Sequence, residues 1–269
     1  MNLLECILTE NSCYKARVTI QPIGVMVHST GANNPSLKRY VQPTPGDKDY
    51  TKLLGLLGDN RNDNDWNRAG VQKCVHAFIG KLADGSVATV QTLPWKRRGW
   101  HAGTGSKGSA NNSHIGFEIC EDGLEDKDYF DKVYLEAVEF TAHLCKEFGF
   151  DPKKDGVIIC HSEGKDRGIA SNHGDVLHWF PKHGKDMDDF RSDVEKVMKG
   201  EGEMTQEQFN KMMDAWLEQQ SAKAPSAWSA EARAWAEKEG IIKGTGNRME
   251  YRRPVTREEL AQVLYNMNR

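Results

Sequence analysis

The segment from Val157 to His183, VIICHSEGKDRGIASNHGDVLHWFPKH, holds four of the nine histidines in the chain. An apolar run stops at Cys160-His161, and a polar loop leads through Asn172-His173-Gly174-Asp175 to His178 and His183. Imidazoles and carboxylates at this density suit a catalytic zinc, which takes three protein ligands and leaves one position for water. A second apolar run, Val25-Met26-Val27, ends at His28. Histidines at the ends of two strands can meet at the rim of one sheet. Asp175, fourteen residues after His161 on a glycine-containing loop, is long-tethered enough to swing back to them.

Glu118 adds a group of different use. In Ile115-Gly116-Phe117-Glu118-Ile119-Cys120 the large apolar residues share one face of a strand, and Gly116, Glu118 and Cys120 share the other. A carboxylate between small neighbours has room beside it for a ligand. Partial burial raises its pKa toward the working range of a general base. Other schemes fail. The chain has no HExxH and no GxSxG. Adjacent Cys160 and His161 on a strand would point to opposite faces, so they make no nucleophile-base pair. Gly103–Gly108 spells GTGSKG, but polar Ser-Ala-Asn-Asn follows where a dinucleotide site needs a helix, so it reads as a loop.

Short β-branched runs bounded by turn residues predict the strands that must carry these groups: Val25–His28, Cys74–Ile79, Val87–Gln91, Ile115–Cys120 and Val157–Cys160. Ala83-Asp84-Gly85-Ser86 between two of them is a hairpin-type turn. Phe130, Val133, Ala137, Phe140, Thr141, Leu144 and Phe148 recur at helical steps, and Gly149 with Pro152 stops them. Residues 1–198 therefore read as an α/β domain, a mixed central β-sheet flanked by helices. Lys199–Glu203 is a polar linker. Residues 204–269 read as a small α-helical module with an aromatic core of its own, opened by a Thr205/Gln208 capping box, interrupted by a GTGN turn and closed by a helix capped by Thr256 and Glu259.

The chain has 269 residues, is 38% hydrophobic and carries a net charge of -3, which gives no support to a nucleic-acid surface. Nothing approaches the roughly 18 apolar residues of a membrane span. Acidic Glu5 and the lack of a long apolar stretch in MNLLECILTENSCYKA argue against a signal peptide. The six cysteines form no CxxC pair and read as buried free thiols.

Five pieces occur in one order: "MVHST" with His28, "VHAFIGKLADGSVATVQTLP" from Val75, "GWHAG" from Gly99, "NNSHIGFEI" from Asn111, and "IICHSEG" from Ile158. Over residues 18–198 the chain resembles the zinc-dependent N-acetylmuramoyl-L-alanine amidases of the peptidoglycan-recognition-protein superfamily, the amidase-2 type of phage endolysins and bacterial autolysins. The resemblance implies that His28 and His161 are zinc ligands. The third ligand is Asp175, although the Pro-Gly that follows the aspartate in the family is Val-Leu here, which leaves His173 and His178 as substitutes. Glu118 falls at the catalytic glutamate. His173 takes the position, two residues before the third ligand, of a lysine that holds the oxyanion. Trp100 and His101, with His76, resemble elements of a substrate cleft.

The implied reaction is zinc-assisted hydrolysis of the bond between N-acetylmuramic acid and the L-alanine of the stem peptide. Rival readings are a peptidoglycan receptor without catalysis and a cytosolic amidase that recycles muropeptides. "WSAEARAWAEKEGIIKG" and "PVTREELAQVLYNMNR" resemble one S-layer homology repeat, which implies wall binding or dimerisation. The expectation is a protein made in the cytoplasm and acting on the wall after release.

Overall fold

Apolar runs separated by polar turns produce six strands in the computed structural model: β1 (Leu3–Glu5), β2 (Gly24–Asn33), β3 (Ala77–Lys81), β4 (Val87–Gln91), β5 (His114–Glu121) and β6 (Ile158–Cys160). They form one sheet in the order β1-β4-β3-β5-β2-β6. The β3–β4 pair is antiparallel and the other four pairings are parallel. The expected turn at Ala83–Ser86 closes the β3–β4 hairpin. Gly85 takes a φ of 85° there, and Asp84 Oδ1 accepts from the Ser86 amide and hydroxyl at 2.9 and 2.7 Å.

The helices of the same unit are α1 (Ser12–Ala16), α2 (Tyr50–Leu57), α3 (Lys127–Phe148), α4 (His161–Asp166) and α5 (Met187–Met198). α3 begins where Asp126 accepts from the Tyr129 amide at 3.0 Å, and it stops at Gly149, whose φ of 69° only glycine adopts cheaply. Its apolar stripe covers one face of the sheet. Phe140 meets Phe117 edge-on at 5.3 Å, and Ile115, Ile119, Val25 and Val27 fill the same layer. α5 packs alongside through Phe190, which faces Tyr134 at 5.7 Å. The opposite face is divided. Leu53, Leu57, Tyr40 and Trp66 cover Phe78 and Val90 at one end, and the remainder carries the polar groups described below.

The described residues are 1–200, 206–244 and 249–267, and the chain divides into the units Met1–Gly202 and Glu203–Arg269. Most of the predicted linker, the Thr205/Gln208 capping pair and the Thr245-Gly246-Asn247 part of the GTGN turn lie outside the described residues. The second unit contains α6 (Gln206–Ser221), α7 (Ala230–Lys238) and α8 (Arg257–Met267). The Thr256–Glu259 capping box is present, with reciprocal bonds of 2.8 and 3.1 Å. The expected aromatic core is not. Trp216, Trp228 and Trp235 are exposed, and among the described residues of this unit only Ser221 and Ala236 are buried. Three short helices leave too little neighbouring surface to cover so many large side chains. No described helix is long and apolar enough to cross a membrane.

Candidate metal centre and active site

Parallel pairing of β2 with β5 places His28 directly beside Glu118 in register. Residues paired this way project from the same face of a sheet, so both side chains leave the face that α3 does not cover. His28 is not at a strand end, as its sequence suggested. β2 continues to Asn33, with the pairing register broken between Ser29 and Asn33. His161 likewise belongs to a helix rather than a strand: it is the first residue of α4. Glu163 turns back to accept the Cys160 amide at 3.0 Å, and Arg191 of α5 donates to that carboxylate at 3.0 and 3.2 Å. α4 lies close against β2 because Gly164 has no Cβ; one there would lie 2.3 Å from Met26 Cε.

Asp175 arrives on a loop fixed from beneath. Val176, Trp179 and Phe180 are fully buried in the α3 core layer, and the Trp179 and Phe180 amides both donate to the Val176 carbonyl. Asp175 Oδ2 is thereby held 3.0 Å from His28 Nδ1 and 3.7 Å from His161 Nδ1, and the two Nδ1 atoms are 3.1 Å apart. Burial raises the Asp175 pKa, but its contacts with His28 and His161 outweigh that, so the carboxyl is lowered overall. Burial, with His28 beside it, takes His161 down to about 4. His161 is therefore a neutral imidazole at pH 7.

Glu118 reaches the same region. Its Oε2 is buried without a hydrogen-bond partner. Burial first, then the charges of Asp175 and Glu121, hold its pKa well above the usual glutamate value. Isolated buried acceptors of this kind are costly and mark a site that uses them.

The other residues singled out in the sequence divide. His173 is exposed, with Nδ1 3.1 Å from Ser171 Oγ and its ring 4.6 Å from that of His161. His178 turns away: its Nε2 bonds Glu121 Oε1 at 2.9 Å, so it does not join the cluster. His76 is fully buried. Its Nε2 donates to the Arg97 carbonyl at 2.7 Å, its Nδ1 accepts from the Gly116 amide at 3.1 Å, and burial lowers it to about 4. With both nitrogens used and no surface exposed, it lines no cleft.

His101 also differs from its expected place. Its ring occupies the space above Gly116, where a Cβ would come within 2.4 Å of Nδ1, and its Nδ1 lies 3.0 Å from His28 Nε2. The room beside Glu118 that the small residue seemed to offer a ligand is thus partly filled by this imidazole. Trp100 is 47% exposed and forms a wall of a surface pocket of about 310 Å³ with Cys13, Val18 and Arg98. Ser171 and Asn111 touch these residues too; Asn111 opens the NNSHIGFEI piece, whereas no periodicity or motif points to Ser171.

A zinc ion fits the donors. Two imidazole nitrogens and a carboxylate oxygen are its ordinary ligand types, and Zn–N bonds of about 2.0–2.1 Å at tetrahedral angles put ligand atoms ~3.3 Å apart. The observed separations of 3.0, 3.1 and 3.7 Å bracket that value. Among the described residues, His28, His161 and Asp175 are the group able to hold a metal in this way. A His–His–carboxylate set with an unpartnered glutamate alongside is equipped for hydrolysis of a polar bond.

That class narrows on comparison with known proteins. The Amidase_2 family, N-acetylmuramoyl-L-alanine amidase, matches residues 19–176, and the chain belongs to this family. It is 41% identical over 59 residues to N-acetylmuramoyl-L-alanine amidase CwlA of Bacillus sp, covering 22% of this chain and 23% of that protein. With CwlA of Bacillus subtilis (strain 168) it is 29% identical over 108 residues, covering 40% and 39%. The chain thus spans well under half the length of these curated relatives. Hydrolase AmiA of Staphylococcus aureus, solved in complex with its ligand, shares the fold at a TM-score of 0.50 and 16% identity, over 74% of this chain and 83% of that one.

Proposed function

We propose that this chain hydrolyses the amide joining N-acetylmuramic acid to L-alanine in peptidoglycan, with zinc held by His28, His161 and Asp175. The observation that carries this reading is the convergence of His28 Nδ1, His161 Nδ1 and Asp175 Oδ2 beside the unpartnered carboxylate of Glu118. The family membership and the names of the relatives support the substrate.

Bound zinc would supply Lewis acidity and a nucleophile derived from water at neutral pH. Glu118 is the general base in this scheme. With zinc bound its carboxyl would be held ionised, and burial strengthens it as a base, so that it can take the proton of the attacking water and then deliver it to the departing alanine nitrogen. When it carries a proton on the nitrogen that does not face Ser171, His173, exposed next to His161, would offer an N–H to the oxygen that gains charge as the carbonyl carbon becomes tetrahedral. Trp100 presents an open aromatic face suited to a sugar ring or the stem peptide. The second unit, with exposed Trp216, Trp228 and Trp235, is read as the part that holds the protein on wall polymer.

The test combines metal analysis with product analysis. Stoichiometric zinc together with new L-alanine amino termini from purified walls is the expected result. Wall binding with neither zinc nor new termini would make the chain a receptor. Activity on soluble fragments but not on intact walls would make it a recycling amidase.

A further inference from the structure

We infer that His101 and Ser171 are positioning residues that fix the protons on His28 and His161, so that each turns a bare Nδ1 toward the metal; this rests on the zinc reading above. Two carbonyl oxygens, those of His114 and Ala102, can only accept. His101 Nε2 lies 3.3 Å from the His114 carbonyl and so carries the hydrogen of that imidazole. Its Nδ1 is then a lone pair. His28 Nε2, 3.0 Å away, must be the donor to it. The remaining nitrogen of His28, Nδ1, is bare.

Ser171 orders the second histidine. Its hydroxyl donates to the Ala102 carbonyl at 3.3 Å. Its oxygen is left to accept from His161 Nε2 at 3.2 Å and from His173 Nδ1 at 3.1 Å. His161 Nδ1 is bare in turn. Three acceptors, two nitrogens and the Asp175 oxygen, then face one another with no hydrogen among them. A cation is the natural partner of three such lone pairs, and the two proton chains hold both histidines in the tautomer that turns Nδ1 toward it.

Both chains meet one short loop, the first through His101 and the second at the Ala102 carbonyl. Asn111, 1% exposed, accepts the His101 and Ala102 amides through a single oxygen, each at 2.8 Å. Two glycines make the close approach feasible. A Cβ on Gly116 would lie 2.4 Å from His101 Nδ1, and one on Gly103 would lie 2.6 Å from Ser171 Oγ. Resemblance placed His101 in a substrate cleft; its hydrogen bonds place it behind the metal.

The measurement is zinc affinity of the full chain, by competition with a chromophoric chelator. His101→Ala and Ser171→Ala are expected to weaken binding about 10–100-fold, whereas His101→Asn, whose Oδ1 replaces the Nδ1 acceptor, stays within about threefold of the wild type. Melting of the zinc-stripped variants separates this effect from loss of fold. Histidine nitrogen NMR on the zinc-stripped wild type needs no variant, and it should show Nε2–H tautomers at His28 and His161. Unchanged affinity in both alanine variants, or an Nδ1–H tautomer at His28, would overturn the inference and leave the zinc centre standing. A wild-type chain that binds no zinc would overturn the centre itself, and the inference with it.

Discussion

Glu118 shows how one side chain of the candidate site can oppose stability. Its folded-state pKa is raised above the ordinary 4.5, so the folded chain keeps a proton that the unfolded chain has released. Stability must therefore fall as pH rises from about 4.5 through the folded value, because the unfolded state binds fewer protons in that window. Glu118→Gln removes the penalty. In chelator-treated protein at pH 7 the variant is expected to melt higher, by about 2–4 °C for each kcal/mol recovered, with the gap closing as the pH falls below the glutamate range. Wall hydrolysis should drop about 10²–10⁴-fold in the same variant. Equal melting at pH 7 and in acid would show that the carboxyl is not desolvated. Asp175 and His178 give a second contrast at this scale. Asp175→Ala is expected to emerge from dialysis without zinc. His178→Ala should retain it, since that imidazole is committed to Glu121. Metal content after dialysis decides between them.

The strands and helices carry these residues through close backbone contacts, and glycines expose how little slack exists. A Cβ at Gly24, the first residue of β2, would lie 2.2 Å from the Val157 carbonyl oxygen, which belongs to the backbone leading into β6. Gly24→Ala is expected to cost about 1–3 kcal/mol and to loosen zinc, because β2 carries His28 and β6 leads into His161. Gly55 in α2 has nothing within 4 Å of its would-be Cβ, so Gly55→Ala should stabilise the protein by about 0.5–1 kcal/mol. Thermal melting of the two variants checks both signs. β2 to β6 and α3 were legible in the sequence because burial imposes continuous apolar runs on strands and a regular stripe on a long helix. β1 was not, since three residues are too few to show a pattern. α2 was obscured by the glycine in its middle. The cluster was legible as far as His28, His161, Asp175 and Glu118, whose types announce their chemistry. The places of His101 and Ser171 depend on space left by Gly116 and Gly103 across chain-distant contacts, which no local pattern encodes.

At the scale of the whole molecule the two units differ in how far burial extends. Among the described residues every member of the four hydrophobic clusters precedes residue 200, so the sheet, its helices and the candidate centre have a core of their own. The second unit has the opposite character, with large aromatic side chains left at its surface. Exposed tryptophans of this kind are poor for stability and good for holding a partner. Attachment to an insoluble polymer raises the local concentration of scissile bonds without any change in the catalytic groups. A chain ended at Gly200 should therefore retain zinc, and its melting midpoint should lie close to that of the first unit in the full chain. Its rate on soluble muropeptides should also be unchanged. Its sedimentation with intact walls, and its rate on them, should fall about tenfold or more. Trp228→Ala in the full chain, at a position 88% exposed, should move wall binding the same way while leaving melting and zinc unaltered. If the shortened chain sediments with walls as well as the full one does, the first unit alone supplies the affinity, and the exposed tryptophans serve some other contact.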